Sequence, residues 1–185
     1  MQIIAISGSL RRDSHNTRLL RAAALALPPG VELELYDGLA ALPPYSEDTD
    51  VEPAPVAVDD LRARIAAADA LLIATPEYNA SIPGVLKNAI DWASRPFPDN
   101  TLRGKPVAVI GASTGLFGAV WAQAELRKVL HHAGADTLEQ ELPVALADQA
   151  FEWNGELADP ELHQGLVELL DALAREVRTP VAVSR

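Results

Sequence analysis

The sequence contains no cysteine, which excludes disulfides, thiolate zinc sites and thiol-based redox chemistry. Any electron transfer by this protein must therefore depend on a bound cofactor. Basic residues are also scarce. With 15 Lys and Arg against 26 Asp and Glu, the net charge is −11, which argues against general binding to nucleic acids or anionic membranes.

Long apolar runs are missing as well. No stretch approaches the roughly 18 apolar residues of a membrane span, and the N-terminal sequence lacks the pattern of a signal peptide. We therefore expect a cytoplasmic protein with no membrane partner. The four histidines do not form a spaced set with carboxylates, so we also expect no metal site.

The chain has 185 residues, of which 49% are hydrophobic and 22% charged, a composition typical of one globular domain covering residues 1–185. Hydrophobic periodicity predicts five strands alternating with five helices. The predicted strands are residues 2–6, 31–36, 70–75, 106–111 and 136–144. The predicted helices are residues 14–27, 58–68, 83–93, 119–132 and a fifth from about residue 159, with a tail at residues 179–185.

Alternating strands and helices require right-handed crossovers and a parallel sheet with helices on both faces. The second strand alternates strictly between apolar residues and glutamate, which predicts a half-exposed strand at the edge of the sheet. The third strand is wholly apolar, which is typical of a strand buried on both faces. These patterns predict the strand order 2-1-3-4-5.

The loop from Gly8 to Thr17 joins the first strand to the first helix and is rich in hydroxyl groups. Residues 1–30 carry a net +3, so residues 31–185 carry −14. A phosphate would be attracted to this loop, where a helix N-terminus supplies free amides and a partial positive charge. The alternative is a solvated helix start with Ser14 as its N-cap. Leu10 and Asp13 stand where the dinucleotide-binding motif G-x-G-x-x-G requires glycine, so that motif is excluded. The loop also lacks the Gly-Lys-Ser/Thr ending of a Walker loop.

Two further loops follow the third and fourth strands. Pro76 ends regular structure directly after a buried strand, so the residues that follow either line a flat heterocycle or simply cap the third helix. Residues 111–118 contain three glycines that would allow close approach to a ligand, or they form a flexible turn. All three loops should meet at one rim, where open parallel sheets bind ligands. The long connection at residues 37–57 is either functional or a passive surface loop.

Together these segments resemble one known family. The matching segments are Gly8-Ser9-Leu10-Arg11 with Ser14 and Asn16-Thr17, Pro76-Glu77-Tyr78-Asn79, and residues 81–92, which read SIPGVLKNAIDW. They are similar to the NAD(P)H-dependent FMN reductases, which include bacterial chromate and quinone reductases. The resemblance covers roughly residues 1–135 and implies an α/β fold, namely a flavodoxin-like three-layer sandwich with a five-stranded parallel sheet.

The resemblance implies FMN as cofactor and NAD(P)H as cosubstrate, with quinones, azo compounds, free flavin or oxyanions such as chromate as acceptors. No catalytic side chain is expected, because the flavin carries the chemistry. The implied FMN-binding residues are Ser9, Arg11, Ser14, Asn16 and Thr17 at the phosphate, Pro76, Glu77, Tyr78 and Asn79 along the isoalloxazine ring, and Ser113 and Gly115 near its pyrimidine edge.

Two other functions remain open from the sequence. A flavodoxin-type electron carrier would use the acidic remainder of the chain to dock basic partners. A nucleotide or flavin sensor without activity would use the same fold class. Helices three and four carry apolar residues around more than one face, which predicts a partner subunit. The family forms dimers and tetramers, so the resemblance implies a homodimer or homotetramer.

Overall fold

The computed structural model describes residues 1–178, and the predicted tail at residues 179–185 lies outside them. The strands are β1 (Gln2–Ser7), β2 (Glu32–Tyr36), β3 (Ala70–Thr75), β4 (Pro106–Ala112), β5 (Asp136–Thr137) and β6 (Pro143–Val144). The helices are α1 (His15–Leu25), α2 (Val56–Ala67), α3 (Gly84–Ala93), α4 (Val120–His132) and α5 (Pro160–Arg178). Within the described part of the chain, no helix is long and apolar enough to cross a membrane.

The parallel sheet has the order β2-β1-β3-β4-β5, which confirms the predicted order. The protein has three layers, with the sheet between two layers of helices. Side chains along β3 explain this arrangement, because successive ones point to opposite faces of the sheet. Leu72 belongs to the core under α1 and α5, whereas its neighbours Leu71 and Ile73 belong to the core under α2, α3 and α4. Strand β2 lies at the edge as predicted, with Glu32 and Glu34 exposed.

The predicted fifth strand, residues 136–144, is wrong as one continuous element. It is divided into β5 and β6, which pair with opposite ends of β4. An unbroken strand would turn Gln140 to the same side as the buried Leu138 and Leu142, so the chain bulges outward between them. The buried amide of Gln123 stabilises the bulge: Leu142 N–H donates to Gln123 Oε1 at 3.3 Å, and Gln123 Nε2 donates to Leu142 O at 3.4 Å.

Helix ends differ from the predictions by one or two residues. Ser14 is the N-cap of α1, accepting the Thr17 N–H at 3.2 Å, so the helix itself begins at His15. It ends at Leu25, two residues before the predicted end. Helix α2 begins at Val56, directly after Pro55, and α3 begins at Gly84, after Pro83.

The long connection after β2 is a strap along α3. It contains two 3₁₀ turns, Gly38–Ala41 and Glu47–Thr49. Asn88 on α3 holds it through both ends of its side-chain amide, donating to Pro43 O at 2.9 Å and accepting the Tyr45 N–H at 2.8 Å. Trp92 Nε1 donates to Pro43 O at 2.8 Å, and its ring packs edge-on against Tyr45. The strap therefore covers the core on the α3 side of the sheet.

Candidate functional site

Three loops meet at the carboxyl ends of β1, β3 and β4, as the sequence predicts, and they enclose a cavity of about 260 Å³. The predicted site residues that line it are Ser9, Arg11, Ser14, Asn16, Pro76, Glu77, Tyr78 and Ser113. Thr17, Asn79 and Gly115 are not on its lining, which also includes His15, Ala112 and Thr114. A larger cavity of about 610 Å³ lies between the C-terminal halves of α3 and α4, away from this rim.

The first loop is held against the sheet by one backbone and one side-chain hydrogen bond. Gly8 N–H donates to Ala74 O at 2.8 Å, and the Thr17 hydroxyl donates to Ser7 Oγ at 3.0 Å. A Cβ at Gly8 would lie 2.9 Å from Leu86 Cδ2, so any other residue here would require the Leu86 side chain to shift. Among residues 1–178, nothing accepts the backbone N–H of His15 or Asn16. These two amides at the start of α1 are available to an anion.

Asn16 is buried and cross-links the first loop to the third. Its Nδ2 donates to Ala112 O at 3.0 Å, and its Oδ1 accepts the Ala112 N–H at 3.0 Å. The side chain therefore acts chiefly as a spacer between α1 and β4, although Asn16 also lines the cavity. Arg11 is exposed, and its guanidinium donates to Asp13 O at 2.5 Å. That contact is with a neutral carbonyl, which a phosphate would outcompete.

The second loop is a two-residue hairpin. Tyr78 and Ser81 exchange backbone hydrogen bonds of 3.0 and 3.1 Å, while Asn79 and Ala80 take φ angles of 53° and 60°. Two successive positive φ values are the signature of a type I′ turn, which asparagine tolerates at its first central position. The turn presents Tyr78 at the mouth of the cavity, with its side chain 54% exposed.

Glu77 joins the second loop to α4. Its Oε2 accepts the backbone N–H groups of Trp121 and Ala122, both at 3.1 Å. The N-cap residue of α4 is Ala119, which has a φ of 61° and no side-chain acceptor. Glu77 therefore supplies the cap from another loop, where a carboxylate also complements the helix dipole.

The third loop is tied to β6 and to the segment that follows it. Ser113 N–H donates to Val144 O, and Ala147 N–H donates back to Ser113 O, both at 3.0 Å. The approach of a ligand to its three glycines stays a prediction, but two of them have protein atoms where a Cβ would lie. A Cβ at Gly111 would lie 2.8 Å from Gln123 Nε2, and one at Gly118 would lie 2.4 Å from the Pro143 carbonyl carbon. Only Gly115 faces open space beyond Ser113.

Two features of the site escaped the sequence analysis. His15 lines the cavity, with its Nε2 3.1 Å from Oδ1 of Asp148 on the loop after β6. An apolar rim, comprising Leu116 and Phe117 of the third loop and Trp121 of α4, lies exposed, and the rings of Phe117 and Trp121 are 5.0 Å apart. The only sequence signal for His15 is its position directly after the N-cap.

The cleft combines free amides, an exposed arginine and hydroxyls on one side with a flat, half-open mouth at Tyr78 on the other. Such an arrangement suits a ligand with an anionic end and a planar ring system. Among residues 1–178, no group of three or more His, Asp or Glu side chains is placed to hold a metal ion.

Comparison with known proteins agrees with this chemistry. The family described as NADPH-dependent FMN reductase matches residues 1–149. The chain is 45% identical to an NAD(P)H-dependent FMN reductase of Pseudomonas aeruginosa, over 96% of each protein. It is 39% identical to a 2-hydroxy-1,4-benzoquinone reductase of Burkholderia sp, over 96% of this chain and 97% of that protein. The solved structure of FerB, a flavoenzyme NAD(P)H:(acceptor) oxidoreductase of Paracoccus denitrificans, superimposes with a TM-score of 0.84 at 37% identity, over 96% of this chain and 97% of FerB.

Proposed function

Because the chain belongs to the NADPH-dependent FMN reductase family, we propose that its cleft binds FMN and that the protein transfers two electrons from NAD(P)H to quinones. Enzymatic activity as an NAD(P)H-dependent flavin and quinone reductase follows from the family and from the relatives. We also include azo compounds, free flavin and oxyanions such as chromate as electron acceptors in the proposal. We further propose that residues 1–185 form one FMN-binding domain, since relatives align along 96% of the chain.

The observation that carries the assignment is the convergence of three loops on one cavity whose phosphate side holds unaccepted amides. The phosphate would be held by Ser9, Arg11, Ser14, Thr17 and the amides of His15 and Asn16. The ring would lie along Pro76, Glu77, Tyr78 and Asn79, with Ser113 and Gly115 at its pyrimidine edge. The amides of His15 and Asn16 fit a phosphorylated flavin, because an anion would give both groups the acceptor that residues 1–178 do not supply.

The chain supplies binding and orientation. Bound FMN supplies hydride acceptance from NAD(P)H and two-electron transfer to the acceptor. No side chain at the cleft has the geometry of a nucleophile activated by a base, so we assign none as catalytic. Tyr78, which is exposed at the mouth of the cavity, gives a flat acceptor a surface to stack on, which favours quinones and azo compounds over oxyanions.

The purified protein loaded with FMN tests this assignment. We expect a flavin absorption band that survives desalting, bleaches with NADPH in the absence of oxygen, and returns when a benzoquinone is added. Steady-state NADPH oxidation should depend on the quinone. Flavin binding with negligible turnover unless a partner reductase is added would instead indicate an electron carrier. No flavin binding at all would contradict the proposal.

We also propose that the protein is a homodimer or homotetramer that buries the apolar rim. The expectation that α3 contributes spare apolar surface is wrong, because Leu86, Ile90 and Trp92 are all buried within one chain. Helix α4 does contribute, since Trp121 is 49% exposed beside Phe117. Adjacent exposed aromatic residues at the mouth of a cleft are typical of an interface.

Replacing Trp121 with glutamate should weaken self-association by about tenfold or more, because a charge would enter the buried centre of the interface. The fold should tolerate the change, since an acidic side chain in the first turn of α4 complements the helix dipole. Light scattering over a dilution series at micromolar concentrations measures the effect. Trp153→Glu is the matched control, because Trp153 is 96% exposed on the 151–157 hairpin that packs against α1. A monomeric wild-type protein would contradict the proposal.

A further inference from the structure

The second loop of the cleft is fastened to the rest of the fold by one side chain. Residues 78–80 are exposed, and the two backbone hydrogen bonds between Tyr78 and Ser81 close the hairpin on itself. Among residues 1–178, the hydrogen bonds that residues 77–81 make outside this hairpin are the two that the Glu77 carboxylate accepts from α4. The position of the hairpin relative to the cavity therefore depends on that carboxylate.

Helix α4 depends on the same contact. Its N-cap residue, Ala119, offers no side-chain acceptor, and its first turn contains no acidic residue. The free amides at a helix start need acceptors, and a carboxylate there also complements the helix dipole. Oε2 of Glu77 accepts the N–H groups of Trp121 and Ala122, both at 3.1 Å. This oxygen cannot turn towards the cavity without leaving both amides uncapped.

We propose that Glu77 is a positioning residue that acts through Tyr78: by fastening the second loop to α4, it sets where Tyr78 lies when a flat electron acceptor stacks at the mouth of the cleft. This inference rests on the proposed function, because it assumes an acceptor that enters beside bound FMN. Tyr78 follows Glu77 directly, and its side chain is 54% exposed, so little of the protein packs against it. A displacement of about 1 Å in a group that orients a reactant has a large effect on the reaction.

The charge and the reach of the Glu77 side chain can be separated by substitution. Glu77→Gln removes the charge but keeps the length of the side chain and an oxygen that accepts hydrogen bonds. Glu77→Asp keeps the charge but is one methylene shorter, so its carboxylate falls short of the two amides. If Glu77 acts by position, Gln should resemble wild type and Asp should resemble Ala. A charge that acted directly on the flavin or the acceptor would give the reverse order.

Steady-state oxidation of NADPH with a benzoquinone, catalysed by the FMN-loaded protein, tests the proposal. Glu77→Ala and Glu77→Asp should raise the KM for the quinone by roughly threefold to tenfold, with a smaller change in kcat, because the contact that is disturbed binds the acceptor. Glu77→Gln should stay within about twofold of wild type, because its amide oxygen retains the contact with α4. If Glu77→Ala does not fold, the Gln and Asp variants decide the question between them.

Asp159→Ala is the matched control for the loss of a helix cap. Asp159 Oδ1 accepts the N–H groups of Glu161 at 2.8 Å and of Leu162 at 3.4 Å at the start of α5, and Asp159 is not on the lining of the cavity. Its replacement should lower stability in urea to a similar extent as Glu77→Ala. The KM for the quinone should remain that of wild type, which a general effect of lost stability would not allow.

A double-mutant cycle with Tyr78→Ala tests whether Glu77 acts through Tyr78. The effects of two residues that act through one contact are not additive. Once the phenol ring has been removed, the further change Glu77→Ala should alter the KM for the quinone by less than about twofold. Fully additive effects would show that Glu77 acts by another route, and the inference would be wrong.

Flavin binding and wild-type turnover distinguish the two levels of failure. An unchanged KM in Glu77→Ala, or a Glu77→Gln variant as impaired as Glu77→Ala, would overturn the inference while the wild-type protein still binds FMN and reduces the quinone. If the wild-type protein binds no flavin, or binds it and reduces no quinone, the proposed function itself fails.

Discussion

Replacing Asn16 with leucine should lower the free energy of unfolding by about 3–4 kcal/mol, because the buried Ala112 N–H and C=O would both lose their partner. FMN affinity should fall by about tenfold or more, since the start of α1 and the end of β4 would lose the link that sets their spacing. Urea unfolding of the flavin-free protein measures the first effect, because bound ligand adds stability of its own. Flavin fluorescence measures the second.

Asn88→Leu is the matched control for this prediction. Asn88 makes the same double hydrogen bond, to Pro43 and Tyr45, but on α3 and away from the cleft. It should lose stability, by a smaller amount because the site is only partly buried, and keep its FMN affinity. Equal FMN affinity in both variants would show that the Asn16 link does not organise the cleft.

Replacing Arg11 with alanine should raise the FMN dissociation constant by roughly 10- to 100-fold, the loss expected for a charge-assisted hydrogen bond to phosphate. Stability should change by less than about 0.5 kcal/mol, because the exposed guanidinium makes a single hydrogen bond within residues 1–178, to the Asp13 carbonyl. The loss in affinity should shrink at high salt, where charge contributes less.

Two controls distinguish a direct contact between Arg11 and the phosphate from a general effect of positive charge. Arg21→Ala removes the same charge from an exposed position farther along α1 and should change FMN affinity little. Riboflavin affinity should be similar in Arg11→Ala and wild type. If Arg11→Ala retains wild-type affinity for FMN, Arg11 does not belong to the phosphate site.

The sheet could be predicted because the residue pattern of each strand indicates how much of that strand is buried. The alternation of Val31 to Leu35 with glutamate determined the edge position, and the unbroken apolar run of β3 determined a central one. The interruption between β5 and β6 could not be predicted, because it depends on Gln123, which reaches Leu142 from another element. A pattern read along one segment contains no information about such a partner.

The candidate site also has features that could be predicted from the sequence and features that could not. The type of loop at each strand end is visible locally, so the positions of Ser9, Arg11 and Tyr78 at one cavity could be anticipated. The hydrogen-bond partners of polar side chains cannot be identified from the local sequence. The carboxylate of Glu77 caps α4, and His15 meets Asp148 from a distant part of the sequence. Both contacts join segments that are far apart in the sequence, so they form only when the folded sheet brings those segments together.

The divided strand next to β4 has a consequence for solubility. An exposed β-edge recruits strands from other molecules, and proteins resist this with short edge strands, bulges and charge. Here the margin beside β4 offers two strands of two residues each, separated by a bulge that carries Glu139 and Glu141. At the other margin, β2 carries Glu32 and Glu34. Neither side of the sheet is a good template for amyloid-like stacking, so the protein should resist aggregation when concentrated.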